Sequence, residues 1–240
     1  MDLSFIPRNI CNRIEMLRNQ DCAIGASEEY ELPGVKIFAT KVENVLQNGP
    51  QCGLVALHMA VTTLGTSMSI EEIDTEAKRR KITRNGEMFS NKWLAELGQD
   101  MFPDLKVKKC DFPSVEELTS QLLSGNLWLV PYDCDRNHEP AFLNGHKAHW
   151  CIIVGFLITS FVCEDVEPIT SSLSSKDLER PVHVLVQHGK SKFMALWNYD
   201  QLKKSNGQLH SSGPDRPDTD YVLPPEGIDL TGGCVLVARK

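Results

Sequence analysis

Residues 49–61 read Gly49-Pro50-Gln51-Cys52-Gly53-Leu54-Val55-Ala56-Leu57-His58-Met59-Ala60-Val61, and this stretch decides the fold. Gly49-Pro50 ends whatever element precedes it. From Cys52 to Leu64 the residues are nearly all apolar. No face is left for water, so the pattern predicts a helix buried on all sides. Upstream, apolar residues at 10, 14 and 17 predict a short amphipathic helix over residues 10–18. Downstream, Ser69 with Glu72 is a capping box for a helix over 70–80. Trp93, Leu94, Leu97 and Met101 mark a second, and Ser114 with Glu117 opens a third that ends at Gly125. Beyond Gly125 the period becomes that of strands, at 127–130, 149–157, 182–186, 193–198 and 234–237, with loops over 164–180 and 205–227. Helices first and strands later predict an α+β fold, a mostly antiparallel sheet packed on the buried helix. The expected organisation is a single domain over 1–240, helical to about residue 125 and sheet from about 126.

The composition is that of a soluble globular protein: 240 residues, 41% hydrophobic and 24% charged. With 25 basic against 32 acidic residues the net charge is −7, which gives no overall field to attract nucleic acid. Residues 1–9 lack the pattern of a signal peptide, and the longest apolar stretch, 150–158, falls far short of a membrane span. The eight cysteines, at 11, 22, 52, 110, 134, 151, 163 and 234, form no Cys-x-x-Cys pair. They are expected to be reduced thiols in the cytosol, with no zinc ribbon.

Cys52 is the thiol placed for chemistry. The first turn of a helix has open backbone N–H groups and a positive dipole end, both of which favour a thiolate. Gly53 leaves room beside the sulfur for a substrate backbone. The competing reading is a buried structural cysteine. His149 opens the apolar strand His149-Trp150-Cys151-Ile152-Ile153-Val154-Gly155, where an imidazole can meet a helix N-terminus as base and later as acid. Asn198 or Asp200, in Leu196-Trp197-Asn198-Tyr199-Asp200, is a candidate to orient that imidazole, although both residue types also suit a strand-end turn. The backbone N–H of Cys52 and the amide of Gln47 or Gln51 can stabilise an oxyanion. Asp133, Asp135, His138, Glu139, His146 and His149 lack the His-Glu-x-x-His spacing and read as a solvated loop beside the cleft rather than a metal site; no cofactor is expected. Lys78, Arg79, Arg80, Lys81 and Arg84 form one basic cluster and Lys106, Lys108 and Lys109 another, each either a solvated face or a positive rim for an acidic peptide.

Three longer strings carry a family resemblance. Gly49-Pro50-Gln51-Cys52-Gly53-Leu54-Val55-Ala56-Leu57, with Gly86-Glu87-Met88-Phe89-Ser90, resembles the nucleophile region of the actin maturation protease family. Val130-Pro131-Tyr132, Asn137-His138-Glu139-Pro140 and Gly145-His146-Lys147-Ala148-His149-Trp150 resemble its histidine region, and Leu196-Trp197-Asn198-Tyr199-Asp200-Gln201 with Ser205-Asn206 its third segment. The matches run in order from about residue 45 to 210. The resemblance implies a cytosolic thiol protease of papain-like architecture, akin to the bacteriocin-processing peptidases, that removes an acetylated N-terminal methionine or cysteine from immature actin. It implies Cys52 as nucleophile, His149 as base and Asn198 in the third position, where the family also holds an acid. Gln47 is the preferred oxyanion donor. Actin's acidic N-terminus would suit a rim formed by Arg79, Arg80 and Lys81, and Trp150 or Met88 would line a slot for the acetylated residue. Some family members carry a proline-rich tract for profilin; Met1-Asp2-Leu3 opens this chain without one, so actin is the expected direct partner, with profilin–actin as an alternative form of it. Two readings compete with this one: another papain-like thiol hydrolase, deubiquitinase-like or an amide acyl transferase, and a non-catalytic actin-binding module.

Overall fold

The computed structural model describes residues 4–23, 34–160, 166–170, 173–213 and 221–240. In chain order the elements are α1 (Arg8–Ala23), β1 (Gly34–Ala39), α2 (Cys52–Thr63), α3 (Ile70–Arg79), α4 (Asn91–Met101), β2 (Leu105–Asp111), α5 (Val115–Leu123), β3 (Leu127–Cys134), β4 (Pro140–Ala141), β5 (Ala148–Ser160), β6 (Val166–Pro168), α6 (Ser175–Leu178), β7 (Val182–His188), β8 (Ser191–Asn198), α7 (Tyr199–Asn206) and β9 (Gly233–Arg239). The helix starts predicted at Ser69 and Ser114 are real caps: each side chain accepts from the backbone N–H of Glu72 and Glu117 respectively. Two departures stand out. β1 and β2 fall in the part expected to be helical, and both join the common sheet. α7 follows the strand expected over 193–198, where no helix was expected, and its last two residues enter the loop expected over 205–227.

The sheet is mixed and mostly antiparallel; β1 with β6 is the parallel pair among the named strands. Its axis is the long strand β5. β3 pairs with residues 148–153 and β1 with 155–160, while β7 pairs with 152–158. Since a strand has two edges, β3 and β1 lie end to end along one edge of β5 and β7 takes the other.

Both faces of this sheet are covered, so its strands read as continuous apolar runs. Leu127, Leu129, Trp150, Ile152 and Val154 turn to the face that buries α2, with Leu54, Val55, Leu57 and Val61 of that helix fully enclosed. Trp128, Val130, Tyr132, Cys151 and Ile153 turn to the other face, under α5 and α7. Each such enclosed aliphatic side chain contributes roughly 1.5–3 kcal/mol. The all-round apolar surface of α2 therefore pins its N-terminus against the first residues of β5. Among the described residues no helix is long and apolar enough to cross a membrane.

Candidate active site

A cleft of about 150 Å³ opens where α2 begins and β5 begins. Cys52 and His149 both line it, with Gln47, Met88, Phe89, Trp150, Glu87, Lys190 and Tyr221 among its other walls. Cys52 is the first residue of α2, half-buried, and Gln51 gives the helix no side-chain cap. The N-cap side chain thus supplies no acceptor to the first turn of α2.

Trp150 fixes the approach of helix to strand. Its Nε1–H donates to the carbonyl of Met88 at 3.0 Å. Gly53 sits so close that a Cβ there would lie 2.9 Å from the Met88 Cβ and 3.2 Å from two atoms of the indole. Gly53 therefore allows α2 to reach the strand. The alternation along β5 turns Trp150 to α2 and His149 to the face of its cross-strand partner Tyr132. The imidazole packs among rings: Tyr132 at 5.8 Å, His188 at 5.5 Å and His138 at 6.4 Å between centroids. The Tyr132 hydroxyl donates to the His138 carbonyl at 2.9 Å, and its enclosed phenol is pushed well above the usual value by burial.

Burial separates the thiols. It raises Cys110 and Cys134 and pushes Cys151 and Cys234 far up, so these sulfurs are held protonated. Cys11 is exposed on α1. Cys163 and the side chain of Cys22 lie outside the described residues. Cys52 is the thiol that shares a cleft with a histidine.

Gln47 lines the same cleft and Gln51 does not. The Gln47 backbone N–H donates to the Gly189 carbonyl at 2.8 Å, its side-chain amide donates to the Gly49 carbonyl, and its Oε1 is buried with no partner. Gly189 has no room for a Cβ, which would lie 2.9 Å from that of Gln47. The Gln51 side chain instead lies against Gly86.

Three expectations need correction. Asn198 is not brought to the cleft. Its side chain caps α7, accepting from the Gln201 N–H at 3.1 Å, and its cross-strand partner is His183 at the opposite end of β7 from His188. Asp200 follows it within α7. Arg79 and Arg80 also lie away from the cleft walls, and their charge is committed to Glu76 (2.6 and 2.7 Å) and, for Arg80, Asp100 (2.7 Å). Lys81 follows with a left-handed backbone, φ 58°. Among the described residues the cation lining the cleft is Lys190, which no sequence motif marked. Finally, Asp133 is not a solvated loop acid. It is fully buried and accepts from the N–H groups of Leu143, Gly145 and Lys147 and from the Gln208 amide. It thereby holds the segment that delivers His149. Glu87 does the same for the opposite wall, accepting from the N–H groups of Arg84, Asn85 and Val222.

Residues 42–157 match the family model described as "Actin maturation protease-like, C-terminal domain". The chain is 37% identical over 207 residues to the actin maturation protease of Drosophila melanogaster, covering 82% of this chain and 68% of that one. It is 36% identical to that of Xenopus tropicalis (85% and 74%) and 34% identical to that of Homo sapiens (85% and 66%). The chain thus spans roughly two thirds to three quarters of the length of these relatives. A C39-like peptidase from Bacillus anthracis superposes with a TM-score of 0.50 at 12% identity, covering 84% of this chain and 96% of that one. That likeness is one of fold, the papain-like α+β class expected above.

Proposed function

The chain belongs to the actin maturation protease family, and on that premise we propose that it is a thiol protease that trims the acetylated N-terminal methionine or cysteine from immature actin. The observation that carries this reading is the cleft shared by Cys52, at the open end of a buried helix, and His149, at the start of the central strand.

In the proposed reaction the Cys52 thiolate attacks the carbonyl carbon of the terminal acetylated residue. The electron pair moves to the carbonyl oxygen, which the Cys52 N–H and the Gln47 amide stabilise. Collapse breaks the peptide bond, and the protonated His149 gives its proton to the departing amine of the shortened actin. Water, deprotonated by His149, then cleaves the thioester and releases the acetylated amino acid. The walls made by Met88, Phe89, Trp150 and Tyr221 suit an apolar residue whose amine is blocked and carries no charge. Lys190 suits acidic residues beyond the scissile bond. The setting is the cytosol, with actin free or in complex with profilin as substrate.

The test is to incubate the protein with peptides beginning acetyl-Met and acetyl-Cys followed by acidic residues, with actin and with profilin–actin, and to read the products by mass spectrometry. Loss of one acetylated residue is expected, abolished in Cys52→Ala. Cleavage retained by Cys52→Ala would overturn the assignment.

A further inference from the structure

We propose that His188 is a positioning residue for this reaction: its ring, held between His149 and Trp197, keeps the His149 imidazole turned toward the cleft. The inference rests on the roles of Cys52 and His149 proposed above and adds a residue from the end of β7.

His188 is 2% exposed. Its ring meets that of His149 edge to face, with centroids 5.5 Å apart and planes at 81°. On another side it stacks on Trp197 at 6.0 Å and 22°. Trp197 itself packs on Tyr132, the cross-strand partner of His149, at 4.9 Å. The four rings thus form one block, and rotation of His149 would have to displace it. Next to His188, the Gly189 carbonyl receives the N–H of Gln47. One turn therefore locates both the ring behind the base and the amide of the oxyanion candidate.

The chemistry of His188 fits a support rather than a second base. Its Nδ1 accepts the N–H of Lys190 at 3.4 Å, and this bond assigns the proton to Nε2. Burial, with the neighbouring charges of His138 and Lys190, pushes it down to about 4. It is therefore neutral at the pH where His149 must gain and lose a proton, and does not compete for that proton. The ionisable groups around the pair are His138 from the 135–140 turn, Lys190 from the turn after β7, Tyr132 of β3 and Cys52 of α2, the last across the cleft. Asn198, the third residue the sequence suggested, caps α7 instead.

The test compares His188→Ala, His188→Gln and His188→Asp in the full chain, measuring kcat, KM and the pH profile of kcat/KM on an acetyl-Met acidic peptide. His188→Ala should lower kcat by about 10- to 100-fold with little change in KM, because the base is then free to turn from its reacting geometry. His188→Gln, which restores a polar group of similar reach, should recover most of that loss. His188→Asp should move the alkaline limb up by about one pH unit, since a carboxylate favours the His149 cation. Native kcat and pH profile in His188→Ala would overturn the inference. So would equal losses in all three variants with an unmoved pH profile, which is what a purely structural role predicts. If Cys52→Ala is inactive while His188→Ala is unimpaired, the positioning role alone falls; if Cys52→Ala still cleaves, both fall.

Discussion

Gly53→Ala sets two opposing terms against each other. Alanine is the better helix former by about 0.5–1 kcal/mol, and would stabilise α2 if the space were open. It is not. The added methyl would lie 2.9 Å from the Met88 Cβ and 3.2 Å from the Trp150 Cδ1 and Nε1, where carbon atoms prefer about 3.5–4.0 Å. Neither neighbour can swing aside cheaply. The Met88 contact is at Cβ, next to the backbone, and Trp150 is 1% exposed and bonded to the Met88 carbonyl. Overpacking of this kind costs about 1–3 kcal/mol, so it outweighs the helix gain and leaves a net loss of about 1–2 kcal/mol. In a chain of this size that is a fall in Tm of roughly 2–8 °C. The shift opens the joint between α2 and β5, so Cys52 and His149 should separate. A displacement approaching 1 Å lowers kcat/KM by about 100-fold. Thermal unfolding and peptide cleavage, measured on the same preparation, check both parts. An alanine variant as stable and as active as the native protein would refute the idea that this close approach sets the site.

Asn198→Ala should lose about 1 kcal/mol of stability through the α7 cap while kcat stays native; a large fall in kcat in a folded variant would restore Asn198 to the site. Lys190→Glu should raise KM several-fold for acidic peptides, most strongly at low salt, whereas charge reversal at Arg79 should change nothing; the opposite ranking would return the rim to α3. The Glu76 carboxyl is held at about 2, below its usual 4.5, by hydrogen bonds from Arg79 and Arg80. Its contribution to stability is present above about pH 4.5 and is lost as the pH falls toward 2. Glu76→Gln should remove that part of the acid-unfolding curve, and identical curves for the two proteins over this range would contradict it.

What the sequence made legible was local or strongly patterned. The α2 run could be read because a helix apolar on every side has one place to go, and the β5 run because a strand covered on both faces has no polar residues to alternate. β1 was not legible: its six residues show neither alternation nor length, and its partners lie far along the chain in β5 and β6. α7 carries a local signal of its own. Asn198 three residues before Gln201 has the spacing of an N-cap, and that spacing explains the asparagine without any catalytic role. The pairs of Arg79 and Arg80 with Glu76 were likewise written in i,i+3 and i,i+4 spacings. His188 and Lys190 had no such marker. The register of β5 with β7 brings His188 behind His149 and Lys190 to the cleft wall, a long-range pairing that no local pattern encodes.

The central claim is that the Cys52 thiol is ionised by its helix end and by His149. The most direct measurement is the rate of iodoacetamide alkylation at Cys52 against pH, followed by mass spectrometry of the modified peptide, in the native protein and in His149→Ala. The account predicts selective reaction at Cys52 well below the ordinary thiol value of about 8.5, and a profile that returns toward that value when His149 is removed. An ordinary profile in the native protein, or one that His149→Ala leaves unmoved, would contradict it.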